Sequence, residues 1–211
     1  MFQSTIASLC TGRNCGAAVL ALALWAPLGQ ADAAIVTFDD LPALSDASGA
    51  KIANGYGGLN WSEHFHYLKG NSIADSGYSR GLVSGEYVAF ASMGQPISIG
   101  RDSGFDLNSG YFTGAWQSME ILAQGFVVGS DDPVYSKTFT VSNSGSLLVD
   151  FGWTDLTQVR FTQSPYGLGK QFVIDNLTID EAVQHVPEPA SLALVLGALA
   201  LAGAAARRQR R

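Results

Sequence analysis

Two groups of carboxylates in this sequence have the residue types to hold a cation. Asp175 lies between Val173 and Leu177 on one side of a candidate strand, so a carboxylate stands in an apolar row. A buried carboxylate is costly unless it has a cation, a metal ion or several hydrogen-bond donors. Asp39 and Asp40 end another candidate strand and have no basic neighbour. Such oxygen ligands suit Ca²⁺. In the alternative, Asp175 lies at a strand edge, bonded to turn amides or facing water.

Large planar side chains give the sequence a modest case for binding sugars. Exposed Trp or Tyr rings offer a flat apolar face for stacking, and nearby Asn, Gln and Asp can bond hydroxyl groups. Trp153 lies in an apolar alternating row, so we expect it in the core. The candidate ligand-binding residues are Trp61, Trp116 and Tyr166, the last of them in the loop over 164–169.

No catalytic apparatus is visible in the sequence. His64 and His66 would project from one face of a strand and could chelate Zn²⁺ or Cu²⁺, but no third ligand is visible nearby. The segment after residue 33 contains no cysteine, so a thiol nucleophile is excluded there. Glu63, Glu86 and Glu120 are candidates for a glycosidase pair, although the sequence does not give their separation. We expect a non-enzymatic domain, and a small polysaccharide-modifying hydrolase is the alternative.

The elements that must position these residues alternate with a period of two in almost every patterned stretch. Candidate strands cover 35–39, 58–68, 87–92, 97–99, 109–116, 119–128, 135–141, 147–153, 159–162 and 171–179. The apolar parity changes within 119–128, which predicts a bulge at Gly125. No stretch predicts an amphipathic helix. About ten short strands separated by turns predict an all-β fold, an antiparallel, jelly-roll-like β-sandwich over residues 34–181.

The N-terminal segment has the pattern of an export signal. Arg13 precedes a hydrophobic stretch over 16–28, and residues 31–33 form a small-x-small cleavage site. This pattern predicts a secretory signal peptide over 1–33, with cleavage after Ala33.

The C-terminal segment has the pattern of a membrane anchor. An uncharged apolar run over 190–206 follows a linker over 182–189 and corresponds to about 25 Å of helix, which predicts a transmembrane helix. The arginine-rich stretch 207–211 is expected to remain on the cytoplasmic side, with the rest of the chain outside.

The tail resembles a known sorting signal. Pro187, Glu188 and Pro189, the apolar run and the terminal arginines together resemble the PEP-CTERM signal of Gram-negative bacteria. The resemblance implies that a membrane protease, exosortase, recognises the Pro-Glu-Pro element and releases the protein, often into an exopolysaccharide matrix. It therefore implies a transient stay in the inner membrane, followed by the cell surface or extracellular matrix.

The charge of the exported part excludes one class of partner. Residues 34–185 contain 16 acidic residues and 7 Lys and Arg residues, for a net charge of about −9. Nucleic acid and anionic lipid are poor partners for that charge, whereas Ca²⁺ and neutral glycans are compatible with it.

A second resemblance concerns the exported domain. The segments 54–61, 84–90, 105–112 and 171–179 resemble an uncharacterised family of secreted β-sandwich domains, similar in outline to jelly-roll carbohydrate-binding modules. The resemblance implies that the first and last strands pair, with a structural Ca²⁺ near their ends. No other cofactor is expected. The sequence therefore predicts an exported matrix or surface protein that binds polysaccharide, and a ligand-free, self-associating surface protein is a further alternative.

Overall fold

The computed structural model describes residues 34–44, 48–165 and 167–181, and within them every strand pairing is antiparallel. One short helix, α1 (Gly77–Arg80), and 3₁₀ turns at Tyr56–Gly58, Gly70–Ser72 and Ser92–Gly94 connect the strands. The strands are β1 (Ala34–Val36), β2 (Ala50–Lys51), β3 (Asn60–Trp61), β4 (Phe65–Lys69), β5 (Tyr87–Ala91), β6 (Ile97–Gly114), β7 (Met119–Val127), β8 (Tyr135–Val141), β9 (Leu147–Ser164) and β10 (Phe172–Ile179).

A long antiparallel pair of strands, β6 and β9, folds back on itself and creates the two layers. Strands β6 and β9 pair from Ile97–Phe161 at one end to Phe112–Leu147 at the other. A straight strand between these pairs would separate Phe112 from Phe161 by about 50 Å. Their ring centroids are instead 5.4 Å apart, and the register shifts between Gly100 and residue 109. The β6–β9 pair is therefore bent in its middle, and its two halves face each other.

Each half of the β6–β9 pair belongs to a different layer. The first layer contains β2, β4, β5, β10, the second half of β6 and the first half of β9. The second layer contains β3, the first half of β6, the second half of β9, β7 and β8. Strand β1 pairs with β10, so the first and last strands are neighbours, as the jelly-roll resemblance implied. The antiparallel β-sandwich predicted from the period-two pattern is confirmed.

The main core lies between the layers and is built from the inward residues of the alternating strands. It includes Phe65, Phe112, Phe161 and Phe172, all with no exposed surface. Trp153 is 7% exposed and belongs to this core, as predicted. A smaller apolar cluster covers the outer face of the first layer, with these members: Leu68, Tyr78, Val88, Phe90, Ala115 and Val173.

The sandwich has two distinct ends. We call one the Trp116 end, which contains the loops over 115–118, 142–146 and 167–171. We call the other the hinge end. It contains the bends of β6 and β9 and the first and last residues of the domain, Ala34 and Glu181.

Several predicted strand limits are wrong because the chain stays extended through the bends. The candidate 97–99 and most of the candidate 109–116 belong to β6, which ends at Gly114. The candidates 147–153 and 159–162 are parts of β9. The predicted bulge at Gly125 is also wrong. Gly125 continues the buried row of β7, where a Cβ would lie 2.8 Å from Leu156 Cδ2, and the register shift follows Phe126.

The predicted signal peptide, linker, membrane helix and basic stop lie outside the described residues. Among the described residues, no helix is long and apolar enough to cross a membrane.

Candidate functional site

The indole of Trp116 is exposed and yet held in one orientation. Its side chain follows β6 at the Trp116 end, and the residue is 46% exposed. The indole Nε1 donates a hydrogen bond of 3.0 Å to Gln171 Oε1. The indole makes an edge-to-face contact with the ring of Tyr78, with centroids 5.6 Å apart, and Tyr78 itself is 2% exposed. The ring therefore stands on a buried aromatic residue while part of its surface stays open to solvent.

Close backbone packing under this ring explains why α1 carries a glycine. Gly77 donates its amide to Ala115 O at 2.7 Å, immediately before Trp116 in the chain. A Cβ at Gly77 would fall 1.8 Å from Gly114 O, far inside the van der Waals contact distance of the two atoms. Ser76 caps the helix by accepting the amide of Tyr78 at 3.1 Å. This packing fixes Tyr78 beneath the indole.

Amide side chains join the three loops around Trp116. Gln117 Nε2 donates to Gly169 O at 3.1 Å, and Gln117 Oε1 accepts Lys170 Nζ at 2.9 Å. Asn143 Nδ2 donates to Trp116 O at 3.0 Å. We call the group Trp116, Gln117, Asn143, Lys170 and Gln171 the Trp116 surface. It combines a planar apolar face with polar groups of both donor and acceptor character, which is the chemistry that binds the ring and hydroxyls of a sugar.

The other two predicted ligand-binding aromatics do not join Trp116 within the described residues. Trp61 is 3% exposed, packs edge-on against Phe65 at 4.6 Å and donates Nε1 to Tyr56 O at 2.9 Å. Both faces of its ring are covered, so the prediction that Trp61 is exposed for stacking is wrong. Tyr166 lies outside the described residues, but Lys170 and Gln171, which follow it closely in the chain, belong to the Trp116 surface.

Asp175 faces a different side of its strand from the one that the alternation indicated. The register of β10 shifts after Asp175, and Asn176 has a left-handed φ of 48°. This bulge places Val173 on the outer face of the first layer, while Ile174 and Leu177 point into the main core. The expectation that Asp175 shares a side with Leu177 is therefore wrong.

Backbone amides surround the Asp175 carboxylate, whose residue has no exposed surface. Its Oδ2 accepts the amides of Val83 at 2.7 Å and Ser84 at 3.0 Å, and Oδ1 accepts the amide of Asn176 at 2.8 Å. Burial raises the pKa of Asp175 to about 6, and the three amide hydrogen bonds oppose that shift. The carboxylate thus bonds to turn amides, the alternative arrangement considered for it.

Asp39 and Asp40 also have partners in the protein. Asp39 Oδ1 accepts the amides of Glu86 at 2.7 Å and Tyr87 at 3.0 Å, so Asp39 and Asp175 hold the same loop before β5. Asp40 Oδ1 accepts the hydroxyl of Tyr56 at 2.6 Å, and burial together with this carboxylate raises the pKa of Tyr56. Among residues 34–44, 48–165 and 167–181, no group of three His, Cys, Asp or Glu could hold a metal ion. The calcium site at Asp39, Asp40 and Asp175 stays a prediction.

The glutamates considered for hydrolysis are dispersed. Glu86 pairs with Lys69 Nζ at 3.0 Å beside the first layer. Glu63 lies in the turn between β3 and β4, and Glu120 lies in β7; strands β3 and β7 are three strand spacings, or about 14 Å, apart in the second layer. Glycosidase carboxyl pairs lie at most about 9.5 Å apart. Glu63 and Glu120 therefore do not form such a pair.

An open depression of about 490 Å³ at the hinge end is a second concave feature. Its lining combines polar and apolar residues, among them Asp102, Thr154, Asp155, Val127, Val128 and Tyr135. The ring of Tyr135 is stacked on Trp153, with centroids 5.4 Å apart and planes 14° apart. One face of that ring is consequently not available to a ligand.

Comparison with known proteins concerns mainly the tail. Residues 185–211 match the PEP-CTERM protein-sorting motif. The chain carries a PEP-CTERM sorting motif. The resemblance found in the sequence is thereby confirmed, and the PEP-CTERM motif indicates export as a membrane-anchored precursor that exosortase processes. The individual parts of Pro187, Glu188 and Pro189 in that processing remain predictions. No curated protein matches the chain.

Carbohydrate-binding modules are among the solved structures that are similar to this chain. The CBM22-1 xylan-binding domain of Paenibacillus barcinonensis Xyn10C is 8% identical, with a TM-score of 0.39 over 65% of this chain and 97% of that domain. The family 11 module of Clostridium thermocellum, solved with a β-1,3-1,4-mixed-linked tetrasaccharide, is 10% identical, with a TM-score of 0.35 over 72% and 98%. Similarity at this level assigns neither a ligand nor a binding site to this chain.

Proposed function

We propose that this is an exported, non-enzymatic protein of the cell surface or extracellular matrix that binds polysaccharide through the Trp116 surface. The observation that carries the proposal is the indole of Trp116, exposed to solvent but fixed by Gln171 and Tyr78. The exposed indole offers a flat apolar face on which a sugar can stack, and a fixed ring loses little entropy when the sugar binds.

The sorting signal supports the location of this activity. Exosortase is the proposed processing partner, acting at Pro187, Glu188 and Pro189, and exopolysaccharide is the proposed binding partner. The inner membrane is a transient partner through the tail. Nucleic acid is not a partner, because residues 34–185 carry a net charge of about −9.

Affinity electrophoresis tests the binding proposal. The full chain, purified in a non-ionic detergent, is run through native gels that contain one soluble polysaccharide each, and retardation is measured against a gel without polymer. We expect retardation of the wild type by at least one polymer and its loss in Trp116→Ala. Val128→Ala is the matched control, because Val128 is 77% exposed and lies at the hinge-end depression. Equal retardation of wild type and Trp116→Ala would refute the proposal.

The two alternatives have their own measurements. A hydrolase would release reducing ends from a retarding polysaccharide, and we expect none above a heat-inactivated control. A ligand-free, self-associating protein would show a concentration-dependent mass and no retardation in any gel.

A further inference from the structure

We propose that the Trp116 surface selects polysaccharides that carry carboxylate groups. This inference rests on the proposed function and names the substrate class of the same site. It concerns the charged side chains around the indole, which the sequence pattern did not single out.

Two cationic side chains, Lys170 and Arg80, bond to residues next to Trp116. Lys170 Nζ bonds to Gln117 Oε1 at 2.9 Å, and among the described residues it makes no ion pair. Arg80 Nη1 lies 3.4 Å from the carbonyl oxygen of Asn143, whose side chain bonds to Trp116 O. The chain from Arg80 ends at the backbone carbonyl of Trp116, and Lys170 bonds to Gln117, the next residue in the sequence, so both charges lie near Trp116.

Both cations have bonding capacity left for a ligand. The ammonium group of Lys170 has three protons, and the hydrogen bond to Gln117 uses one of them. Arg80 pairs with Asp75 at 3.4 Å, but the Asp75 side chain is 96% exposed. An exposed ion pair of this kind is weak, and a carboxylate from a ligand can take the place of Asp75.

A group of acidic residues lies at the opposite end, namely Asp102, Asp106, Asp155, Asp180 and Glu181, whereas Asp75 and Glu120 lie near the Trp116 end. At the hinge end, Asp180 pairs with Arg101 at 2.7 Å and accepts the amide of Asp106, and Asp106 accepts the amide of Asp155. The two ends are separated by the length of β10, which is seven residue steps, or about 23 Å, from Phe172 to Ile179. The screening length at physiological ionic strength is about 8 Å. The hinge-end charges are therefore screened at Trp116, whereas Lys170 and Arg80 act locally.

The ligand chemistry follows from these positions. The indole stacks on the apolar face of a sugar, the amides of Gln117 and Gln171 bond hydroxyls, and Lys170 meets a ring carboxylate such as that of a uronic acid. The strongly acidic surface elsewhere repels a polyanion, so a carboxylated chain is directed to this one end.

Polygalacturonate and its highly methyl-esterified form provide matched probes, because they share a backbone and differ in carboxylate charge. The full chain in non-ionic detergent is tested on gels of each polymer at low and high salt. We expect tighter binding to polygalacturonate, with a preference that disappears at high salt. Lys170→Gln should weaken polygalacturonate binding about two- to five-fold, the range for one exposed charge pair, without changing binding to the ester. Lys51→Gln, an exposed lysine of β2, is the matched control.

The outcomes separate this inference from the proposed function. If the wild type binds both polymers equally and Lys170→Gln has no effect, carboxylate selection is refuted while polysaccharide binding stands. If Trp116→Ala changes nothing on a retarding polymer, or no polymer retards the wild type, both fail. If Lys51→Gln weakens binding as much as Lys170→Gln, the effect is one of net charge and selection by this surface is refuted.

Discussion

The buried carboxylate of Asp175 makes the stability of the domain depend on pH in an unusual direction. Its pKa is about 6 in the folded protein and 3.8 in its ordinary state, so between these values the folded protein binds more protons than the unfolded chain. The free energy of unfolding therefore decreases as the pH rises through this interval. A difference of about two pKa units corresponds to about 3 kcal/mol. This stabilisation is fully present below about pH 4 and lost above about pH 6.

The substitution Asp175→Asn removes this titration. We expect the stability of wild type relative to Asp175→Asn to be about 3 kcal/mol greater at pH 4 than at pH 7. The variant is also expected to be less stable by a constant amount, because its amide Nδ2 cannot accept the proton that Asn176 N–H donates to Asp175 Oδ1.

Urea unfolding followed by tryptophan fluorescence measures the difference at pH 4, 5, 6 and 7. Asp150→Asn, at an exposed carboxylate of β9, is the matched control for loss of one negative charge. A difference that stays constant with pH would refute the reasoning. A difference that changes in the opposite direction would show that the three amides outweigh burial and lower the pKa of Asp175.

Two further predictions concern Trp61 and calcium. Trp61→Ala should destabilise the domain by about 3–5 kcal/mol in urea unfolding, because it empties a core site. A cost below about 1 kcal/mol, together with lost polysaccharide binding, would instead return Trp61 to the binding surface. If Ca²⁺ uses the remaining oxygens of Asp39 and Asp40, millimolar Ca²⁺ should raise the Tm of wild type but not of Asp39→Asn. An unchanged wild-type Tm would remove the calcium prediction.

The fold class was predictable because alternation with a period of two is a local property. The inward rows that contain Trp153 follow directly from it. The continuity of β6 was not predictable, because glycine and polar residues at 100–104 are also typical of a turn. Only the contact between Phe112 and Phe161 shows that the chain bends without leaving the strand.

The candidate site was predictable in part. Trp61 alternates with Asn60 and Ser62 and shares its parity with Leu59, so its burial had a signal in the sequence. The bulge in β10 had a weaker one, because asparagine tolerates the left-handed φ found at Asn176.

The groups around Trp116 had no comparable signal. Asn143 and Lys170 come from loops far apart in the chain. Only the folded structure brings them to Trp116 and its neighbour Gln117. The same holds for two of the three amides that bind Asp175, those of Val83 and Ser84, which lie more than 90 positions earlier in the chain.

The position of the chain ends decides how a membrane-held precursor would present itself. Asp180 and Glu181 are fixed at the hinge end, and residues 182–186 give a tether of at most about 20 Å to Pro187. If the tail anchors the precursor as proposed, the tether leaves from the hinge end, and the Trp116 end lies at the other end of β10, about 23 Å away. Polymer strands could then be captured before processing, and proteolytic release would set free a protein already loaded with its ligand.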